Sequence, residues 1–395
     1  MSMSSPFQDP DFLRDPYPTY AALRRSGPVQ ELPGAGHRAG FVVTGYDEAK
    51  QALAHPGLSK DTHRFFAGKE TGRSLHPAVT RNLLATDPPD HTRLRRLVTK
   101  AFTPGAVDRL RPYIVESADA LVDSWAPGEE VDVIDGLAVP LPVTVICRLL
   151  GVPTADRDRV RAWSTDLFAA GDNQRVDAAS HALADYLAAL VASKRRTPDD
   201  ALLSALVAVR DGDGDHLTEQ ELVSLAVLLL VAGHETTTAA IGNAVLALLQ
   251  HPRQSERLRS DPDRIERAVD ELLRYDSAVA IATWRWAPEP VRVGGTDVPA
   301  GSPVSVSPGA ANRDPARFAD PDRLDLARED AHAHLAFGHG IHRCLGAPLA
   351  HAEVATALRV LLTRFPGLRL GRPADQLRWR HSRLIRGLES LPVLL

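Results

Sequence analysis

Ten consecutive residues constrain this chain more than any other segment: Phe337-Gly338-His339-Gly340-Ile341-His342-Arg343-Cys344-Leu345-Gly346. Three glycines and an aromatic ring surround one cysteine, and a helical pattern follows from 347 to about 365. Glycine lets a backbone bend tightly and approach a flat ligand where any Cβ would collide. A cysteine at the mouth of a helix feels the positive end of its dipole, which favours thiolate. Spacing alone leaves several chemistries open. His332, His334, His339 and His342 lie near Cys344, but structural zinc wants paired cysteines and the only other one is Cys147. A Cys344–His342 nucleophile–base pair lacks a third, orienting group. On spacing by itself, a buried structural cysteine is the plainest reading.

The whole pattern reverses that order. Phe-Gly-x-Gly-x-His-x-Cys-x-Gly resembles the haem-binding loop of the cytochrome P-450 family at every position, and a thiolate held in a glycine-rich turn is what a haem iron needs from an axial sulfur ligand. The resemblance implies a haem b cofactor with Cys344 as the metal ligand. A second motif lies about 100 residues upstream. Thr218 and Glu221 form a capping-box pattern, and the next proline is Pro252, so a helix of about 33 residues is expected. Its centre, Ala232-Gly233-His234-Glu235-Thr236-Thr237-Thr238, weakens helix at each step and predicts a kink or bulge. This string resembles the family's oxygen-binding stretch, Ala-Gly-x-(Asp/Glu)-Thr. The resemblance implies that Thr236 hydrogen-bonds the bound oxygen and that Glu235 feeds protons through water. Heterolytic O–O cleavage needs two protons and a strongly donating axial sulfur.

The segment 87–98 opens another helix. At about 100° per residue, His91 and Arg95 share one edge, beside an apolar face of Leu94, Leu97, Val98 and Ala101. Arg93, Arg96 and Lys100 fall opposite. A cationic edge beside an apolar face suits a partly buried anion, and haem carries two propionates. Family resemblance assigns His91, Arg95, Arg285 and His342 to those propionates. Strand alternation through Thr283-Trp284-Arg285-Trp286-Ala287 sends Arg285 away from both tryptophans. The trio Arg93, Arg96 and Lys100 reads as part of a docking face for an acidic electron donor. Glu271-Leu272-Leu273-Arg274 matches the family's Glu-x-x-Arg, with Arg323 as the implied third member. Asp322, Leu324 and His351 depart from the residues usual at their positions.

Length allows one large domain or two; without a repeat or a long linker, a single domain over 1–395 is expected. Helical periodicity dominates 105–275, and strand-like segments fall at 40–44, 281–287, 291–298 and 303–307. The expected class is mostly α with small β-sheets, the P-450 fold with a long central helix over the haem. A net charge of −4 argues against a general nucleic-acid binder. Two distant cysteines suit a reducing compartment, and Cys147 reads as a core residue. The first eleven residues show no signal core or anchor, and the apolar stretch 222–233 falls short of a membrane span, so a soluble, cytoplasmic monomer is expected. The segment 211–215 lacks the terminal glutamate of a calcium loop and reads as an acidic turn.

What the resemblance implies is a monooxygenase. No cysteine set remains for an iron–sulfur cluster, so a separate ferredoxin and its NAD(P)H-dependent reductase are expected partners. Expected pocket segments are 65–84, 163–187, 279–283 and 384–385. The small side chains of Ala278-Val279-Ala280-Ile281 suit a bulky hydrophobic substrate. The chain resembles actinomycete enzymes that tailor macrolides and other polyketides, with steroid or terpenoid hydroxylases as the next reading. A peroxide-using peroxygenase and a non-catalytic haem protein are rivals that the Glu235–Thr236 pair disfavours.

Overall fold

The computed structural model describes residues 10–32, 40–68, 72–167, 172–210 and 214–395. The start of the chain, most of the acidic turn (211–213), and parts of two expected pocket segments (69–71 and 168–171) lie outside the described residues. The helices used below are α1 (Tyr46–Ala54), α2 (Asp90–Ala101), α3 (Arg157–Asp166), α4 (Asn173–Arg196), α5 (Glu219–Gln250), α6 (Ile265–Tyr275) and α7 (Ala347–Arg364). The strands are β1 (Val29–Leu32), β2 (Gly40–Val43), β3 (Glu130–Asp132), β4 (Val291–Val293), β5 (Thr296–Val298), β6 (Val304–Val306), β7 (Arg369–Leu370) and β8 (Pro392–Leu394). Helices carry most of the chain, as the periodicity predicts.

Two compact units form, each from discontinuous segments: 1–59, 115–140 and 236–395 in one, 60–114 and 141–235 in the other. In the first, β1 pairs antiparallel with β2, which pairs parallel with β6 through Phe41↔Val304. Phe41, Val42 and Val43 are all buried, so β2 is covered on both faces and reads as a continuous apolar run rather than an alternating one. β4 and β5 form a hairpin, and β3, β8 and β7 a small antiparallel sheet. No strand spans 281–287, contrary to the sequence pattern. Its amides divide between two neighbours: Ala282 N–H donates to Val306 and Ala287 N–H to Ser302 on the β6 side, while Trp286 N–H donates to Ser59. The pairing amounts to isolated bridges at Trp286, to Ser59 and to Pro303, rather than a ladder.

A buried ion pair anchors α6. Arg274, fully buried, donates from Nε and Nη2 to the two Glu271 carboxylate oxygens at 2.6 and 2.9 Å. Its Nη1 reaches the carbonyls of Asn312 (2.8 Å) and Pro321 (2.9 Å). The third member is Arg328, whose Nε lies 3.2 Å from Glu271 Oε2. Arg323, implied by the family pattern, contributes only its carbonyl to Arg274. Its side chain is turned to solvent, whereas Arg328 is buried one turn of chain later. His351, on α7, lies 3.4 Å from Glu266 and 3.8 Å from Asp270 of α6.

In the second unit α2 buries His91, Leu97 and Val98 and exposes Arg96 and Lys100, as its periodicity predicts. Cys147 is buried, and burial pushes its thiol up to about 11, which fits an inert core residue. α5 begins with the expected capping box: Glu221 N–H donates to Thr218 Oγ1 at 3.3 Å and Thr218 N–H to Glu221 Oε2 at 2.8 Å. The expected interruption does not appear, since α5 is helical without a break through 232–238. Burial of Thr237, Thr238 and the apolar residues around them outweighs their weak intrinsic preferences. α5 is long and apolar enough to cross a membrane, but 67% of its most apolar window is buried inside the protein, as in a core helix.

Replacing Glu271 by Gln leaves Arg274 charged and unmatched in the interior. Loss of about 3–5 kcal/mol of stability is expected, read from the denaturant midpoint together with the fraction of chains that retain haem.

Candidate active site

The cysteine loop folds back on itself before α7. Cys344 N–H donates to the Phe337 carbonyl at 2.9 Å, Arg343 N–H to Gly340 at 3.0 Å, and Gly338 N–H to Leu335 at 2.8 Å. Gly338 and Gly340 have φ of +72° and +76°, the left-handed region where a side chain is strained. A Cβ on Gly340 would also stand 3.0 Å from Ala54 Cα. The loop therefore holds Cys344 exposed, three residues before the N-terminus of α7. A buried thiol at 147 and an exposed one at 344 leave only the second suited to a haem iron, and its setting fits an axial thiolate.

Thr236 lies on an accessible stripe of α5 with Leu229, Ala232 and Gly233, at helical spacing, while Glu235 and Thr237 are buried. The small side chain of Ala232 keeps this stripe low, while Gly233 lets Ile146 pack closely, a Cβ there standing 2.9 Å from its Cδ1. Arg285 is buried and donates from Nη1 to the Thr283 carbonyl at 2.9 Å. Trp284 is exposed but Trp286 is buried, so the expected clean alternation fails along with the strand. His342 is half-buried within the loop. In the other unit, His91 is buried on α2; burial, Arg95 and Lys60 hold its pKa below the usual histidine value, and Asp87 acts the other way. Cations gathered on one histidine form a donor set that matches an anion such as a haem propionate.

The expected pocket segments come together in pairs. Ala280 N–H donates to Leu384, and Arg386 N–H to Ala278 at 2.8 Å. Residues 73–76 are tied to α4 by Arg73 to Asn173 (3.1 Å), Ser74 N–H to Asp177 (2.8 Å) and His76 N–H to Ser180 (3.1 Å). The basic trio needs correction. Arg93 is bound by Asp215 and Glu221, and Lys100 donates to the Arg210 carbonyl at 3.1 Å, so Arg93 presents no net charge to a partner. A different cationic group borders the cysteine loop, where burial, Lys50 and Arg343 together hold His339 below its usual pKa.

Sequence reasoning missed Glu353. It is the only carboxylate in the sequence of α7, which is the signal that could have found it. It is 1% exposed and hydrogen-bonds Thr237, next to Thr236, while its Oε2 has no partner among the described residues. Burial raises its pKa well above 4.5, and the Thr237 bond only partly offsets this. His234, passed over as the variable position of its motif, is buried against Glu235.

An exposed cysteine on a glycine loop, and a buried acid next to an accessible threonine on a long core helix, fit what a haem-thiolate oxygenase requires. The comparisons agree: the cytochrome P450 family model matches residues 158–378. The chain is 46% identical to cytochrome P450 107B1 of Saccharopolyspora erythraea over 392 residues, covering 98% of this chain and 96% of that one. It is 45% identical to the cytochrome P450 monooxygenase PikC of Streptomyces venezuelae, over 97% and 92% of the two chains. The tirandamycin C-bound P450 monooxygenase TamI superposes with a TM-score of 0.88 at 45% identity, covering 98% and 99%. This chain belongs to the cytochrome P450 family. It is a monooxygenase that uses haem with a cysteine thiolate, and takes O2, a small-molecule substrate and electrons from redox partners.

Glu353 gives a pH signature. Its folded pKa is raised, so its contribution to stability is fully present below the ordinary Glu value of about 4.5 and is lost as pH rises toward the folded pKa. Glu353→Gln keeps the shape and cannot ionise. Its melting temperature relative to the parent should therefore rise between pH 5 and pH 8; a pH-independent difference would show that Glu353 does not titrate upward.

Proposed function

We propose that this enzyme inserts one atom of O2, by hydroxylation or epoxidation, into a bulky hydrophobic secondary metabolite of the macrolide or polyketide kind. The observation that carries the chemistry is the exposed Cys344, presented by a positive-φ glycine loop at the N-terminus of α7. In this reading Cys344 is the axial ligand, and His91, Arg95, Arg285 and His342 hold the propionates. All 395 residues act as one haem domain, since neither compact unit is continuous in sequence. Substrate class is supported by relatives named 6-deoxyerythronolide B hydroxylase (43% identical) and mycinamicin IV hydroxylase/epoxidase (43% identical). A relative named vitamin D(3) 25-hydroxylase, 45% identical, favours a steroid as the second reading.

When bound, the haem supplies O2 activation and oxygen-atom transfer. The chain's own work is to place the substrate and to move protons. Ala278 and Ala280 bring small side chains to the segment that pairs with the exposed Leu384, which supports a bulky apolar substrate there. Thr236, on the open stripe of α5, orients a proton toward the oxygen being reduced, and the buried Glu235 carboxyl holds its replacement. Electrons come from a ferredoxin and its NAD(P)H-dependent reductase, and the enzyme works as a cytoplasmic monomer. The acidic ferredoxin docks where Lys50 and Arg343 place positive charge beside the cysteine loop and its exposed Ile341.

Titration with a panel of macrolactones, steroids and terpenes should shift the Soret band of the resting enzyme, most strongly with a macrolactone. No shift from any of them would overturn the substrate reading. Lys50→Glu should slow reduction by ferredoxin several-fold at low salt and leave substrate affinity unaltered; unchanged reduction kinetics would remove the docking site.

A further inference from the structure

We propose that His234 returns protons to Glu235 from Ser164, making the residue before the distal acid a positioning element of the proton path. The inference rests on the proton role assigned above to Glu235 and Thr236. His234 is 3% exposed, and its Nδ1 lies 2.9 Å from the carbonyl oxygen of Leu230, one turn back on α5. A carbonyl only accepts, so Nδ1 carries the hydrogen and the ring is fixed in orientation. Nε2 then faces two oxygens, Ser164 Oγ at 3.4 Å and Glu235 Oε1 at 3.6 Å.

A bare Nε2 and an ionised carboxylate are both acceptors. Buried together, with Glu235 only 6% exposed, they attract only when a proton is held between them. A proton shared between Nε2 and Oε1 would join the pair and place an exchangeable proton beside Thr236. Ser164, fully buried on α3, has a hydroxyl that both donates and accepts, so it can pass a proton onward by rotating. Hydroxylation consumes two protons and two electrons: R–H + O2 + 2 e⁻ + 2 H⁺ gives R–OH + H2O, the electrons coming from the redox partner. Each time Glu235 gives up that shared proton, Nε2 accepts another from the Ser164 hydroxyl as its oxygen is reprotonated from solvent water, and Nε2–H then protonates Oε1. Proton count is conserved at every transfer.

Two readouts test this. In the ferrous carbon-monoxide form, ¹⁵N–¹H spectra assigned with His234→Gln should show hydrogen on Nδ1 of His234. With a ferredoxin, its reductase and 7-ethoxycoumarin as probe, His234→Phe should lower product per NADPH by about tenfold. Hydrogen peroxide should rise in step and the solvent deuterium isotope effect should grow. Ser164→Ala should move the same quantities less, and the carbon-monoxide spectrum should stay unchanged in both. His234→Gln serves if the Phe variant does not fold. A bare Nδ1, or unchanged coupling in the His234 variants while Thr236→Ala uncouples, would overturn the role of His234 alone. If Thr236→Ala also leaves coupling intact, the Glu235–Thr236 reading fails and this inference falls with it.

Discussion

The burial of Arg274 is the constraint on which the catalytic loop depends. A guanidinium removed from water is costly unless every donor finds an acceptor. Here Glu271 takes two donors, and the carbonyls of Asn312, Pro321 and Arg323 accept the rest. Fixing Asn312 has a further effect. Its Oδ1 accepts from Leu335 N–H at 2.6 Å, and its Nδ2 donates to Ser277 Oγ at 2.8 Å. Leu335 in turn accepts from Gly338, the first glycine of the cysteine loop. A chain of short polar contacts thus runs from one ion pair on α6 to the backbone that presents Cys344. Residues far from the chemistry set the position of the sulfur.

The loop and the distal helix divide the chemistry between them. The loop is rigid because its backbone needs positive φ twice and its amides close on their own carbonyls. The helix reaches its task by the opposite route, with an unbroken backbone and specialised side chains. Thr236 is accessible and Glu235 and Thr237 are buried, with His234 against Glu235 and Glu353 bonded to Thr237. Two buried acids are a large departure from an apolar core. Each has a partner that limits the cost: Thr237 for Glu353 and His234 for Glu235.

Much of this was legible in the sequence, and what was not has physical causes. The cysteine loop, the capping box of α5, the faces of α2 and the extent of α7 follow from local rules that operate within a few residues. Interruption of α5 was misread because tertiary burial outweighs intrinsic propensity when most of a helix is enclosed. The strand expected at 281–287 has the right composition, but its hydrogen bonds divide between Ser59 and the 301–306 segment and close only isolated bridges, which no local pattern reports. Arg323 and Arg328 are both arginines near the same acid, and only the path of the chain decides which one turns inward. The charge of Arg93 could not be known to be neutralised, since Asp215 and Glu221 lie more than a hundred residues away in sequence.

Everything assigned to the reaction assumes sulfur on iron at Cys344. The most direct check is the absorbance spectrum of the purified, dithionite-reduced protein under carbon monoxide, recorded beside a Cys344→Ser variant. The account predicts a strongly red-shifted Soret band in the parent protein and its loss in the variant. A band typical of histidine-ligated haem in the parent, or a red-shifted band that survives in the variant, would contradict it.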